Sequence, residues 1–573
     1  MLDGRVIESS RLLGPRGAVL VFLGTQCPVS NQYVPKLNEL CAAAEAQGVR
    51  LFGINSNASE TVGQVRAQAQ EHGLRFPMLK DPGGAAAERW KVTRTNEALL
   101  VDARGVLRYR GAIDDELRPG VRKGSEVHPF LEEAIRAVVA GRAVATPTTE
   151  VFGCPIEWPQ PAAAGTRPRI RPAHAAILAA RRERDEAVAV GPVTYHRDVA
   201  AILADRCQPC HRPRQVAPFS LRDYPEARRW AAAIAEAVED YRMPPWHADP
   251  RYGRFANDRS LTARQRATLL AWVEQGCPEG DPVDEPSPRP FPDSWSIGTP
   301  DAIYEMPEPF EVPAHGTVPI QRFRIASGLS EDRWIQAAEM QAGDRSVVHH
   351  RFVFIEPHRD NPGALARTGP VLVAYVPGDA PSIYPPGIAK RIPAGSDLLF
   401  EVHYTPTGRR RVDRSRVGLI YAREPVHHEA VFRGVSDRSL VIPPGAADYP
   451  SRASYTFPRP VHLLSLFPHM HMRGKDFRII AAFPDGRRET LLSVPAYDYA
   501  WQSVYRLAEP MALPAGTRIE CLAHFDNSAA NLVNPDPTAT VRWGDNTTDE
   551  MMIGYLEYYE DSPRLKSQPP IAE

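Results

Sequence analysis

The first 155 residues alternate between apolar runs and helix-forming stretches, and this pattern predicts an α/β domain. Residues 18–23 are all apolar, as in a strand buried on both faces, and residues 49–55 predict a second strand. Residues 24–28 predict a turn into the helix between them. Further on, the turn at residues 103–105 separates two short apolar runs, which indicates a hairpin. Strand, helix, strand and hairpin, in this order, predict a thioredoxin-like domain.

A change in composition marks the end of this domain. Residues 156–192 are rich in proline, alanine and arginine, which predicts a linker with one short helix at about residues 175–186. Residues 193–283 then show the apolar spacing of helices, and Thr262 is placed to cap the last of them. This stretch predicts an all-α domain.

In the rest of the chain, the spacing of apolar residues changes once more. Residues 284–300 predict a second, proline-rich linker. From residue 301 onward, short alternating runs lie between Gly and Pro turns, which is typical of β-sandwiches. The length exceeds one small sandwich, so we predict two in tandem, all-β and jelly-roll-like, over residues 301–430 and 431–573.

Charge and length exclude some partners. The 573 residues include 68 basic and 69 acidic side chains, a formal net charge of −1, and nothing in this balance indicates a nucleic-acid partner. No apolar run approaches the ~18 residues of a membrane span. The seven cysteines are too sparse for a disulfide scaffold in a chain this long.

A pentapeptide at residues 207–211, Cys-Gln-Pro-Cys-His, has the spacing that attaches a c-type haem. Cys207 and Cys210 can each form a thioether to a porphyrin vinyl group, and His211 can then bind the iron. The alternative is a zinc or disulfide Cys-x-x-Cys that happens to precede a histidine. The helical context favours the haem.

A second axial ligand is expected for such a haem. Met243, in the loop Met-Pro-Pro-Trp, is the candidate, with His247 as its rival and a core-packing methionine as the plain alternative. The whole stretch resembles small mono-haem cytochrome c domains, with this loop as the distal side. Because such haem is attached outside the cytoplasm, we expect an extracytoplasmic, periplasmic or secreted protein. Residues 1–5 show no secretion signal, so we expect the true start to lie upstream or a leader to have been omitted.

Metal-binding side chains cluster in four segments after residue 340. On a strand, His469 and His471 point to the same face, because side chains alternate with a period of two, and they predict a chelating pair. Imidazole with a thioether is a copper combination, since soft sulfur favours the cuprous state. The four segments are Val347–His350, Phe400–Tyr404, Phe467–Met472 and Asp549–Tyr555.

On these segments, residues 300–560 resemble the copper type II, ascorbate-dependent monooxygenases. This is the family of peptidylglycine α-hydroxylating monooxygenase and dopamine β-monooxygenase. The resemblance implies two jelly-roll-like domains with one copper ion each, facing each other across a solvent-filled cleft. It implies that the electron-transfer copper is held by His349, His350 and His403.

The same resemblance implies a second copper, which binds dioxygen and hydroxylates a C–H bond. Its ligands would be His469, His471 and Met551, and Tyr555 matches an active-site tyrosine of the family. Two positions depart from the family pattern. Phe467 stands where peptide-hydroxylating members carry an arginine that grips the substrate carboxylate, and Glu401 stands where they carry a glutamine. These departures put a glycine-extended peptide substrate in doubt.

The amino-terminal domain resembles the redoxin branch of the thioredoxin superfamily. Cys27 is predicted at the start of a helix, where the helix dipole lowers the pKa of a thiol. Ser30 replaces the second cysteine of a Cys-x-x-Cys pair, and Asn96 replaces the expected cis-proline. Cys154 is a distant candidate for the resolving thiol. The alternative is a structural or docking domain that retains one thiol.

Together, these features predict a copper-dependent monooxygenase. It would use dioxygen, two copper ions and an unknown organic or peptide substrate, with electrons relayed from its own c-type haem and an external donor, ascorbate or a redox protein. Two other functions stay open. One is a copper-handling protein without hydroxylase turnover, and the other is a thiol oxidoreductase centred on Cys27.

Overall fold

The computed structural model describes residues 2, 5–118, 121–123, 126–158, 188–291, 294–316, 318–360, 369–376 and 381–561. The helix predicted at residues 175–186 lies outside this set. Among the described residues, no helix is both long and apolar enough to cross a lipid bilayer.

The first domain is a mixed sheet with helices, and it confirms the predicted thioredoxin-like fold. Its sheet order is β3-β2-β1-β4-β5, with β1, β2 and β3 parallel and the β4–β5 hairpin antiparallel at one side. Every residue of β1 is buried, as its unbroken apolar run predicts. The strands are β1 Gly17–Phe22, β2 Val49–Asn55, β3 Met78–Lys80, β4 Ala98–Asp102, β5 Leu107–Gly111, β6 Leu117–Arg118 and β7 Val121–Arg122, and the helices are α1 Pro28–Glu45, α2 Val62–Glu71, α3 Ala85–Trp90 and α4 Phe130–Val139.

The next region is helical. Its helices are α5 Ala200–Arg206, α6 Tyr224–Arg229, α7 Ala231–Glu239 and α8 Ala263–Glu274, preceded by a π-helical turn at Tyr195–Val199. Thr262 caps α8 through a capping box with Gln265, which confirms the predicted start of this helix. The region packs on the first domain through ion pairs. Arg94 lies 2.6 Å from Glu236, and Arg229 lies 2.8 Å from Glu60.

The remaining residues form a large all-β region, as predicted. The first half contains a four-stranded sheet, β10-β16-β12-β13, and a larger sheet built around β15-β11-β18-β8. Their apolar faces share one core. The strands are β8 Ala302–Glu305, β9 Phe310–Val312, β10 Gln321–Ala326, β11 Arg333–Gln341, β12 Val348–Pro357, β13 Val371–Tyr375, β14 Ser382–Ile383, β15 Ile388–Ile392, β16 Ser396–Tyr404, β17 Arg411–Asp413, β18 Arg416–Tyr421 and β19 His428–Glu429.

The second half repeats this arrangement with its own sheets. The orders are β20-β29-β23-β26 and β22-β27-β24-β25, and a second core lies between them. The strands are β20 Val431–Ser436, β21 Val441–Ile442, β22 Tyr449–Thr456, β23 Val461–His469, β24 Gly474–Ala482, β25 Arg488–Val494, β26 Tyr505–Leu513, β27 Arg518–Phe525, β28 Val541–Arg542 and β29 Ile553–Glu560.

The two halves meet over an apolar cluster and a buried ion pair. Phe467 of β23 packs among Phe352, Phe354 and Leu399 of the first half. Nearby, Lys390 Nζ lies 2.8 Å from Glu557 Oε1. Burial alone would raise the pKa of Glu557. The charge and the hydrogen bond of Lys390 outweigh this effect, and the pKa of Glu557 is lowered. This junction fixes the two halves against each other.

We expect the substitution Lys390→Met to destabilise the β region by about 3–5 kcal/mol, because it leaves the carboxylate of Glu557 buried without its cation. Urea unfolding followed by tryptophan fluorescence measures the change. The double variant Lys390→Met/Glu557→Gln is the control, since it removes both charges and recovers part of the loss. A single variant as stable as the wild type would contradict a junction held by this pair.

Candidate redox and metal centres

Cys27 lies at the amino end of α1, and the structure brings the predicted partner Cys154 to it. The Cys27 side chain caps the helix by accepting from Ser30 N, and Thr95 Oγ1 lies 3.1 Å from its sulfur. The backbone N–H of Cys154 donates to the same Thr95 hydroxyl at 3.0 Å, and the two thiols hydrogen-bond to each other. Residues far apart in the chain therefore form one thiol pair.

The environment of the pair favours a thiolate on Cys27. Burial alone would raise the pKa of Cys27, but hydrogen bonds from Cys154, Ser30 and Thr95 lower it to about 6. The pKa of Cys154 is raised well above the usual value, mainly because it donates to Cys27. Cys41 is buried in the core on the same helix, α1.

The two positions that depart from the redoxin pattern lie beside this thiol pair. Ser30 Oγ donates to Asn96 Oδ1 at 2.9 Å, and Asn96 Nδ2 lies 4.0 Å from the Cys27 sulfur. Asn96 has a positive φ of 65°, in the left-handed region that asparagine tolerates better than most residues. Ser30 and Asn96 therefore bond to each other at the positions where the family carries a cysteine and a proline.

The first domain is similar in sequence to known proteins. Residues 1–110 match the AhpC/TSA family. The thiol-disulfide oxidoreductase ResA of Bacillus thuringiensis subsp. konkukian is 30% identical over 137 residues, 24% of this chain and 71% of that protein. Through its first domain, the chain belongs to the AhpC/TSA family.

Other relatives cover smaller parts of their own length or of this chain. The ResA of Halalkalibacterium halodurans is 29% identical over 104 residues, 18% of this chain, and the chain spans 57% of that relative's length. A secreted Mycobacterium tuberculosis disulfide oxidoreductase homologous to E. coli DsbE is 26% identical, with a TM-score of 0.17, 18% of this chain covered and 75% of that chain.

The low pKa of Cys27 in the AhpC/TSA domain predicts how the reactivity of this thiol depends on pH. Alkylation by iodoacetamide follows the thiolate, so we expect its rate to reach half of its maximum near pH 6. The substitution Thr95→Val removes a hydrogen bond that stabilises the thiolate, and should raise this midpoint by about one pH unit. Cys41→Ser is the control and leaves the midpoint unchanged. A wild-type midpoint near pH 9 would refute the pairing.

The haem motif lies directly after α5. The N–H groups of Cys210 and His211 both donate to the carbonyl of Cys207, at 3.1 and 2.8 Å, so the motif continues the helical turn. Burial lowers the pKa of His211 to about 4, against a smaller opposite effect of the Phe219 peptide. A neutral imidazole that directly follows Cys210 and lies one turn after Cys207 is suited to bind a haem iron.

The loop with the candidate axial ligand differs from expectation. Met243 follows α7 and is half-buried in the helical region. Trp246 was expected on the distal side of the haem, but it packs in the core of the second β half, with its ring 4.9 Å from that of Tyr505. His247 comes next in this loop. The loop therefore joins two regions, and Met243 as a haem ligand stays a prediction.

The first three histidines of the β region lie on neighbouring strands. β12 and β16 pair antiparallel with His350 directly opposite His403, and a β-bulge interrupts the register between Val348 and His350. The bulge brings His349 to the same side as His350, although adjacent residues of a regular strand point to opposite faces. Possible ligand atoms of all three rings lie within 4.8 Å of one another.

The geometry and charge state of this group fit one metal ion. The Nδ1 atoms of His349 and His350 are 3.1 Å apart. Two nitrogens ~2.0 Å from one ion have this spacing when the angle at the ion is about 100°. Burial lowers the pKa of His349 to about 4 and that of His403 to about 3, so both rings are neutral and able to ligate at pH 7.

The second pair of histidines is close together, but not for the predicted reason. β23 ends at His469, and His471 lies beyond the strand, so the two do not share a strand face. Their ring centroids are nevertheless 5.2 Å apart. His469 Nδ1 bonds to Gln502 Oε1 at 2.6 Å and His471 Nδ1 to the Asp549 carbonyl at 3.2 Å. Such contacts fix the tautomer that offers Nε2 to a metal.

Met551 and Tyr555 lie beside this pair. Met551 is buried just before β29, and Tyr555 of β29 is paired in register with Phe467. The two rings stack with centroids 5.6 Å apart, and Tyr555 lies 6.2 Å from the ring of His469. Phe467 thus places an apolar ring at the position where the peptide-hydroxylating copper monooxygenases carry an arginine.

His350 of the first group lines one cavity of about 30 Å³ together with His469 and His471 of the second. The resemblance implied two metals across a solvent-filled cleft, whereas here the junction of the β halves brings the groups together. The lining residues include His350, His469, His471, Met551, Tyr555, Tyr499, Phe352, Phe354, Glu401 and Arg322.

Sequence reasoning missed several residues of this site. The buried carboxylate of Glu550 accepts from the backbone N–H of His471 at 2.8 Å and of Met551 at 3.2 Å, which orders both candidate ligands. Glu401 pairs with Arg322 at 2.8 Å. Glu550 directly precedes Met551, and that adjacency was the available signal. Arg322 lies in β10, far from every motif in the sequence.

Proposed function

We propose that the AhpC/TSA domain is a thiol–disulfide oxidoreductase that uses Cys27 and Cys154. The contact between these two thiols carries the proposal. The Cys27 thiolate attacks a disulfide sulfur of the substrate, which forms a mixed disulfide and releases one substrate thiolate. Cys154 gives its proton to that thiolate and then attacks the Cys27 sulfur, which forms the Cys27–Cys154 disulfide and releases the second thiolate. Two electrons pass from the pair to the substrate.

Insulin-disulfide reduction tests this proposal. We expect Cys27→Ser to abolish turnover and Cys154→Ser to accumulate a mixed disulfide, which mass spectrometry detects. Cys41→Ser, a change at a buried thiol of the same helix, is the control. Full turnover of Cys27→Ser would refute the proposal.

We also propose that the β region is a copper-dependent monooxygenase. The observation that supports it is the three-histidine group, whose His350 shares one cavity with His469 and His471. His349, His350 and His403 would hold one copper ion, and His469, His471 and Met551 the other. Bound copper would supply dioxygen binding and one-electron transfer. The protein contributes ordered neutral imidazoles and a narrow, partly aromatic cavity that limits the access of water.

The departures at Phe467 and Glu401 bear on the substrate. The cavity offers aromatic rings where a carboxylate-gripping arginine would lie, and the guanidinium of Arg322 is already paired with Glu401. A small organic substrate without a carboxylate anchor fits this lining better than a glycine-extended peptide does.

A haem on Cys207, Cys210 and His211 is the proposed electron inlet. Gln215, four residues after His211, accepts from Arg345 Nη1 at 2.5 Å, and Arg345 precedes His349 by four residues. The loop that follows the haem motif thus contacts the loop that leads into the strand of the first histidine group. Thioether attachment of haem supports an extracytoplasmic location.

Metal analysis and a haem spectrum, followed by untargeted detection of hydroxylated products under dioxygen, test the oxygenase. Stopped-flow mixing of reduced protein with oxygen tests the relay. We expect His349→Ala to slow reoxidation of the haem. An unchanged rate in this variant would refute the relay.

A further inference from the structure

One short segment of the second β half contacts both histidine groups. Residues 499–502, which we term the strap, lie between β25 and β26. The Tyr499 hydroxyl and His403 Nδ1 are hydrogen-bonded at 3.2 Å, and His349 Nε2 bonds to the Ala500 carbonyl at 3.1 Å. Two of the three histidines in the first group are therefore held by the strap, which belongs to the other β half.

The opposite end of the strap holds the second group. Gln502 Oε1 bonds to His469 Nδ1 at 2.6 Å. The same amide donates through Nε2 to the Tyr499 carbonyl at 3.2 Å, which fixes its orientation and ties the two ends of the strap together. Gln502 is 2% exposed, so it has little freedom to leave this position.

The Tyr499 ring lies between the two groups. Its centroid is 5.8 Å from that of His350 and 6.4 Å from that of His471. If the Tyr499 ring moves together with one histidine group, its contact with the other group therefore changes.

The strap is also anchored from behind by the helical region. Arg259 Nη2 donates to Ser503 Oγ at 2.7 Å, and Asn257 Nδ2 donates to the Val504 carbonyl at 2.7 Å. These bonds start immediately after the strap and restrict its movement away from the histidines. The strap is therefore rigid enough to transmit a displacement.

We propose that the strap couples metal binding at the two histidine groups, so that filling either site tightens the other. The proposal rests on the proposed copper sites. Because the coupling is a binding free energy, it is reciprocal, and a metal that positions one end of the rigid strap also positions its contacts at the other end. Tyr499 and Gln502 are positioning residues in this scheme.

The test reads the first site after a change at the far end of the strap. We measure the first site with the second site intact and with it disabled by His471→Ala, in protein with the native strap and in Gln502→Ala. Competition with a chelator gives the affinity for copper, and electron paramagnetic resonance of Cu(II) reports the geometry of the first site. With the native strap we expect loss of the second site to weaken the first about tenfold and to change its spectrum, and in Gln502→Ala we expect this dependence to be lost.

A conservative variant tests the opposite direction. Tyr499→Phe removes only the hydroxyl that bonds to His403. With the native Tyr499, we expect disabling the first site by His350→Ala to weaken the second site, and in Tyr499→Phe we expect this dependence to be lost. Ser439→Ala, a change on the surface of the same β half, is the control and should leave both sites unchanged. A site whose affinity for copper is the same with and without the other site, in protein with the native strap, would overturn the coupling alone. Wild-type protein that binds no copper would overturn the coupling together with the proposed oxygenase.

Discussion

We expect replacement of His350 by alanine to remove one of the two copper ions that we propose for the β region. His350 is the central residue of its group, because its ring lies 5.0 Å from that of His349 and 4.8 Å from that of His403. Its register opposite His403 places it where β12 and β16 meet. Loss of an outer contact costs a metal site 10–100-fold, so we expect loss of a direct ligand to cost more than about 100-fold in affinity. Metal analysis after dialysis against a chelator measures the change from two equivalents to one.

The matched control is His462→Ala. His462 is on β23 like His469, but its ring stacks on Tyr559, with centroids 4.8 Å apart, away from the cavity. We expect this variant to retain both ions. Two ions bound with unchanged affinity in His350→Ala would mean that the first group is not a metal site.

Local patterns in the sequence were sufficient to predict elements whose cause is local. The unbroken apolar run of β1, the cap of α8 by Thr262 and the hairpin of β4 and β5 all follow from neighbouring residues. The histidine motifs were also visible, because their spacing within the sequence is short. These features required no knowledge of contacts between distant parts of the chain.

The parts that sequence reasoning missed depend on contacts between distant segments. The bulge at His349 depends on the pairing of β12 with β16, and no local pattern indicates it. Trp246 leaves the helical region for the core of the second β half because a pocket there accepts it. The strap touches His403 and His349, from which its contacting residues are separated by 96 and 151 positions of sequence. Such placements require the assembled β halves.

The close approach of the two histidine groups also changes how a relay would work. Tyr499, His350 and His471 surround one small cavity, so an electron would have a short, protein-filled path rather than an open cleft to cross. In the proposed relay, electrons from the haem would enter at the first group. The contact of Gln215 with Arg345 places the haem motif on that side of the molecule.

We expect replacement of both Cys207 and Cys210 by serine to abolish the covalent haem that we propose. The thioethers are the only bonds that would fix the porphyrin permanently, and both thiols lie on the turn that follows α5. We expect essentially all haem to be extracted by acidified acetone from this variant and almost none from the wild type, as the Soret absorbance of the protein fraction measures.

A matched substitution separates loss of attachment from loss of folding. Cys277→Ser changes a buried thiol in the core of the same helical region, 2% exposed, and should retain covalent haem. If the double variant folds like the wild type and its reoxidation by oxygen becomes independent of haem, the motif is the electron inlet. Covalent haem in the double variant would refute the attachment site, and wild-type protein with zinc instead of haem would favour the metal-binding alternative for the same Cys-x-x-Cys-His motif.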